Sequence, residues 1–220
     1  LLDRGDATGL YEVFWIDNEM LPEGNLQAYQ GEGHSEHSLK PFSRYSPKRV
    51  TLKPGERQII KIGLKGKKKA AEKEYLSHMS IRTLNTNLDE EGLDEEAKAS
   101  DATAMQFTAH RVLSLPVIWR NTDSEPKTGF ASAKLVDEGL AVQVKRLGIP
   151  SSRGLVALKV GGKSVGKVEH IVIYANLEER TIVVPLSEEE RKQVVGKKVL
   201  VELLDEDEND TVLASQTFTL

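Results

Sequence analysis

The sequence predicts an all-β chain folded as two sandwiches. Apolar and polar residues alternate with period two over many short runs, turn residues separate the runs at spacings of about ten, and no amphipathic helices alternate with them. The last point argues against a parallel α/β sheet, which needs crossover helices.

The first run, "LYEVFWID" (Leu10 to Asp17), is aromatic and β-branched and therefore strand-like. Next comes "YSPKRVTLKPGERQIIKIGLK" (Tyr45 to Lys65). Ile60, Ile62 and Leu64 share one face there, and Lys61 and Lys65 take the other. Pro54 fixes φ for a turn and Gly55 permits positive φ, so "RVTL" and "IIKIGL" are expected to pair as a hairpin. "EYLSHMSIRTL" follows, with Tyr75, Met79 and Ile81 inward and His78 outward. The acidic stretch from Asn85 to Thr103 has little to bury and is expected to be a mobile loop. It leads into "MQFTAHRVLSLPVIWR" (Met105 to Arg120), the longest strand candidate.

A boundary is expected within "RNTDSEPKTG" (Arg120 to Gly129), dividing the chain into domains of residues 1–122 and 123–220. Beyond it "GLAVQVKR", "GLVALKVGG", "EHIVIYANL", "RTIVVPL" and "KKVLVELLD" are strands. The one helical candidate is "SEEERKQVVG", with Ser187 as cap, Glu190 completing a capping box and Gly196 ending it.

Composition narrows the function. The chain has 220 residues, 39% hydrophobic and 29% charged, as soluble globular proteins do. A formal net charge of -4 gives no whole-chain attraction to nucleic acid or to an anionic membrane. The absence of cysteine excludes disulfides, thiolate metal sites and cysteine nucleophiles. No apolar run approaches the roughly 18 residues of a membrane-spanning helix, so membrane insertion is not expected.

"YSPKRVTLKPGERQIIKI", then "EYLSHMSIR", then "LSLPVIWR" resemble, in that order, the amino-terminal domain of the periplasmic pilus chaperones of the chaperone–usher pathway. "VKRLGIPSSRGLVALKV", "IVIYANLEERTIVVPL" and "VLASQTFTL" look like the carboxy-terminal domain of a divergent branch of that family. The resemblance implies two immunoglobulin-like β-sandwich domains in tandem and a periplasmic protein that binds pilus or fimbrial subunits without a cofactor, with an outer-membrane usher as a further candidate partner. "LLDRGDATG" matches the family only after its opening strand, so about 20 to 30 residues of the first sandwich are expected to be missing.

In the family, the last strand of the first domain is lent to an incomplete subunit. That strand maps onto Met105 to Trp119. The implied subunit-binding residues are Met105, Phe107, Ala109, Arg111, Leu113 and Leu115, and the same face continues through Val117 and Trp119. Packing into the protein's own core is the competing reading, strongest for Leu115, Val117 and Trp119. Pro116 stands where well-known members have a carboxylate-anchoring lysine, and Arg111 is the candidate replacement, since guanidinium binds carboxylates in bidentate fashion. Arg120 matches an arginine that sits between the domains in an ion-pair network.

Other candidates weigh less. His34 and His37 in "GHSEHS" lack a third metal ligand. His78, His110 and His170, the last read as near a strand start, have no nucleophile and acid at useful spacing, so no enzyme is expected. Lys65, Lys67, Lys68, Lys69 and Lys73 read as a solvated basic loop, and "GGKSVGK" as a hairpin turn rather than a phosphate loop. The alternative function is a structural or adhesive tandem immunoglobulin-like surface protein with no client. A carbohydrate-binding sandwich ranks below both, because Trp15 and Trp119 sit in strand patterns.

Overall fold

The structure is a computed structural model that describes residues 1–3, 7–84, 112–206 and 211–220. Its front strands are β1 (Gly9–Ile16), β2 (Asn18–Met20), β3 (Leu26–Ala28), β4 (Ser43–Ser46), β5 (Arg49–Leu52), β6 (Lys61–Leu64), β7 (Lys73–Leu84) and β8 (Val112–Asn121). The rest are β9 (Thr128–Val136), β10 (Gly139–Arg146), β11 (Ser152–Val160), β12 (Lys163–Ile173), β13 (Glu179–Pro185), β14 (Lys198–Leu204) and β15 (Val212–Thr219). One α-helix, α1 (Glu188–Val194), lies between β13 and β14. The fold class is all-β, with two immunoglobulin-like sandwiches.

The chain packs as two units: Leu1–Ile16 with Lys40–Lys68 and Ser77–Val117, and Asp17–Leu39 with Lys69–Leu76 and Ile118–Leu220. In the first, β1 is central because its aromatic and β-branched residues suit a strand flanked on both sides. It pairs antiparallel with β5 and with β7, Val13 lying opposite Ile81 and Trp15 opposite Met79. β8 completes the order β5-β1-β7-β8, while β4 and β6 form a separate pair. Trp15 and Tyr45 meet edge to face at 5.7 Å, and the Tyr45 hydroxyl donates to the Val13 carbonyl at 3.0 Å.

The expected hairpin does not form. β5 pairs with β1, whereas β6 pairs with β4, Tyr45 lying opposite Ile62. The turn itself is present: Gly55 has φ +79° and the Glu56 N–H donates to the Lys53 carbonyl at 2.9 Å. Local turn chemistry thus reverses the chain, but the partners of its two arms are chosen by longer-range packing. His78 is a second correction. It is buried rather than outward, because Ser77, His78, Met79 and Ser80 are all covered and β7 has no solvent face there. Lys73 is a third, lying in β7 and paired with Glu36 at 3.0 Å, while Lys65, Lys68 and Lys69 are exposed.

In the second unit β9–β15 form a sandwich of two antiparallel sheets, ordered β13-β10-β9 and β12-β11-β14-β15. Alternate residues Leu140, Val142 and Val144 of β10 face Val156 and Leu158 of β11, Ile171 and Ile173 of β12 and Val199, Val201 and Leu203 of β14 in one apolar core. Full burial of each such side chain stabilises by about 1.5–3 kcal/mol. The helix stands as read: Ser187 and Glu190 make a reciprocal capping box and Gly196 has φ +66° just past the end. Gly161 and Gly162 make the turn between β11 and β12. His170 lies well inside β12 rather than near its start, with φ +58° where the β11 pairing shifts register.

Candidate functional site

β8 is the edge strand of its sheet among the described residues. Val112, Leu113 and Leu115 are 49%, 57% and 50% exposed, an apolar run left open to solvent. Pro116 sits in mid-strand, and proline within sheets is largely confined to edge strands. Period-two alternation puts Leu113, Leu115, Val117 and Trp119 on one face and Ser114 and Arg120 on the other, and β7 contacts both faces. Ser114 and Ser80 hydroxyls lie 2.7 Å apart, Tyr75 stacks on Trp119 at 5.2 Å, and Arg120 meets Glu74. Residue numbers rise on β8 as they fall on β7, so the two strands run antiparallel.

The far end of β8 is held tightly, all within the second unit. Glu74 is fully buried, and its Oε2 accepts from Arg120 Nε at 3.0 Å, from the Ser151 N–H at 3.1 Å and from the Ser151 hydroxyl at 3.0 Å. Its Oε1 has no hydrogen-bond partner among the described residues. Arg120 is half exposed, so the pair is partly screened, and its merit is directional: it fixes one end of a strand. Asn121 adds a side-chain bond to the Ala71 carbonyl at 2.9 Å, and Thr122 one to Glu72 at 2.9 Å. The nearby Tyr174 phenol is pushed up, first by burial and then by the Glu74 carboxylate.

Of the residues singled out in the sequence, Leu113 and Leu115 lie on the open part of β8, and Arg120 on its anchored end. Met105, Phe107, Ala109 and Arg111 lie outside the described residues, as do His110 and the acidic stretch. Glu74 and Ser151 were not anticipated as partners of Arg120. The available signal was an acidic residue opening the otherwise apolar run "EYLSHM".

His34 and His37 turn to different partners: His34 Nδ1 lies 3.9 Å from Asp17, and His37 Nδ1 lies 3.2 Å from the Glu74 carbonyl. No group of three or more His, Cys, Asp or Glu side chains among the described residues could hold a metal. No helix among them is long and apolar enough to cross a membrane.

No protein-family model matches the chain, and no curated protein matches it in sequence. Solved structures do. A chaperone–tip adhesin complex of CFA/I fimbriae biogenesis aligns at TM-score 0.51 and 9% identity, covering 99% of this chain and 88% of that one. The chain has the fold of a fimbrial chaperone. The E. coli chaperone DraB aligns at TM-score 0.49 and 10% identity over 100% of this chain and 85% of its own. The class 5 fimbriae chaperone CfaA aligns at 0.46 and 8% over 99% and 88%.

Proposed function

We propose that this protein is a periplasmic chaperone that binds pilus or pilus-like subunits by donor-strand complementation, with residues 1–122 and 123–220 as its two domains. The observation that carries this reading is the edge position of β8, with Leu113 and Leu115 exposed on one face. A subunit short of one strand presents unpaired backbone groups and uncovered apolar core. An added strand satisfies the first by main-chain hydrogen bonds and the second by alternate side chains.

Met105, Phe107, Ala109, Leu113 and Leu115 are the proposed inserting residues, and Arg111 the proposed carboxylate partner. Arg120 fixes the end of the strand through Glu74. The protein works by binding alone, without catalysis or cofactor, and an outer-membrane usher is the proposed recipient of the loaded complex.

The test is co-expression with candidate subunits, comparing wild type with Leu113→Asp. The variant places a charge on an exposed position and is expected to fold normally. Subunit recovery should fall at least tenfold, since an unpaired charge buried in the complex costs more than about 1.4 kcal/mol. Equal recovery with the two proteins would overturn the reading at Leu113. Finding the wild-type protein intact on the cell exterior, with no subunit attached, would favour the adhesive alternative.

A further inference from the structure

We propose that Arg146 is a positioning residue for the end of β8, acting through the 147–151 loop and Ser151 on the Glu74–Arg120 pair. The use of that positioning rests on the reading of β8 given above. Arg146 ends β10 and spreads its guanidinium over two chain segments. Nε donates to the Leu177 carbonyl at 2.8 Å and Nη2 to the Ala175 carbonyl at 2.9 Å, while Nη1 donates to the Ile149 carbonyl at 3.1 Å and to that of Gly148. A planar fork with five N–H groups can serve four carbonyls at once, which an ammonium cannot.

The loop needs such a brace. Leu147 is 65% exposed and Ile149 37%, so burial of their side chains does little to hold it. The Leu147 N–H donates to the Lys127 carbonyl at 2.7 Å, and Gly148 presses so close to the 125–127 segment that a Cβ would lie 2.9 Å from the Glu125 carbonyl oxygen. The chain then turns inward, with Pro150 and Ser151 buried. Only along this path does Ser151 bring both its N–H and its hydroxyl to the oxygen that Arg120 shares. Arg146 touches neither Glu74 nor Arg120 in any described contact, yet it sets the loop that completes their site.

Hydrogen exchange followed residue by residue on the full chain, with Arg146→Lys, is the test. The far-UV spectrum should match wild type. The amides of Ser151, Arg120 and Asn121 should exchange about tenfold faster, the scale of one lost hydrogen bond to a charged group, while those of Val156, Leu158 and Val201 stay as they were. Gly148→Ala, which displaces the loop and with it the carbonyls that Arg146 holds, should reproduce the change at Arg120 and Asn121, and no change there would overturn the coupling even if Arg146→Lys does not fold. In a double-mutant cycle, the effect of Arg146→Lys on Arg120 exchange should shrink once Ser151 is alanine, which removes the hydroxyl bond to Glu74 and keeps the backbone one.

Faster exchange confined to the 147–151 loop, or effects that simply add, would overturn the proposal. These measurements use no subunit. A failure of Leu113→Asp to affect subunit recovery therefore bears on the chaperone reading and leaves this coupling to stand or fall by itself.

Discussion

The two units bury different kinds of side chain. In the second, Leu140, Val142, Val144, Leu158, Val184 and Val201 are sealed from solvent and belong to one continuous apolar cluster. In the first, Val13, Leu52 and Met79 are the buried hydrophobic residues among those described, and Asp3, Ser43, Ser77, His78 and Ser80 share the interior with them. The edges differ as well. In the second unit β15 lies against β9, β12 adjoins β13, and the Thr181 N–H on β13 donates to the Pro22 carbonyl at 2.9 Å. In the first, the described end of β8 has no strand beyond it. The second unit brings its sheet edges close together and fills the space between the sheets with Val, Leu and Ile. Among the described residues, the first unit combines a partly polar interior with an open strand border.

That contrast can be broken most directly in the cores. Leu158→Ala should cost about 2–5 kcal/mol in chemical denaturation, because a sealed core relaxes poorly around a cavity. Val13→Ala, beside fewer apolar neighbours, should cost clearly less. Equal losses would mean that the first unit is as well filled as the second.

A smaller effect sharpens the comparison at the border. Leu115→Asp changes a half-exposed side chain and should shift stability by no more than about 0.5 kcal/mol. A larger loss in a melting experiment would show that Leu115 serves its own core.

The smallest effect concerns charge. On the first unit Glu12 bridges two strands, accepting from Arg82 Nε at 2.7 Å and from Arg49 at 3.1 Å. The Arg82 guanidinium, and then that of Arg49, hold the Glu12 carboxyl below the usual carboxylate range. Since the folded value is the lower one, the contribution is complete above about pH 4.3, the ordinary glutamate value, and is lost as pH falls through the folded value. Glu12→Gln should therefore melt slightly below wild type at pH 6 and together with it at pH 2. A gap that persisted in acid would assign the effect to packing.

Much of this was legible in the sequence, and the physical reason is periodicity. β10 alternates Leu140, Val142 and Val144 with Ala141, Gln143 and Lys145, so its faces can be counted off, whereas β11, β13 and β14 stand out as short β-branched or apolar runs bounded by turn residues. β9 and β15, "TGFASAKLV" and "VLASQTFT", are diluted by Ser, Ala and Thr, and their sheet positions come from pairing rather than from pattern. β2 and β3 are only three residues each, too short for any period. Asn176 secures that hairpin, its side-chain amide donating to the Met20 carbonyl at 2.9 Å and accepting from the Met20 N–H at 3.3 Å.

At the candidate site, the apolar stretch through Leu113 and Leu115 could be seen as a strand and given a role by resemblance. Its edge position could not, because which strand is outermost depends on pairings between residues far apart. The same holds for Glu74, Arg120 and Ser151, distant in sequence and joined at one carboxylate oxygen. His78 was misplaced for a related reason: alternation assigns one wet face, and a strand covered on both sides has none.

Pro116 limits how the border of β8 can be used. With no N–H to offer, it removes one backbone donor from the strand. Copies of the same strand pairing edge to edge would each carry the same missing donor. A proline within an edge strand is one of the features that disfavour edge-to-edge pairing of like strands.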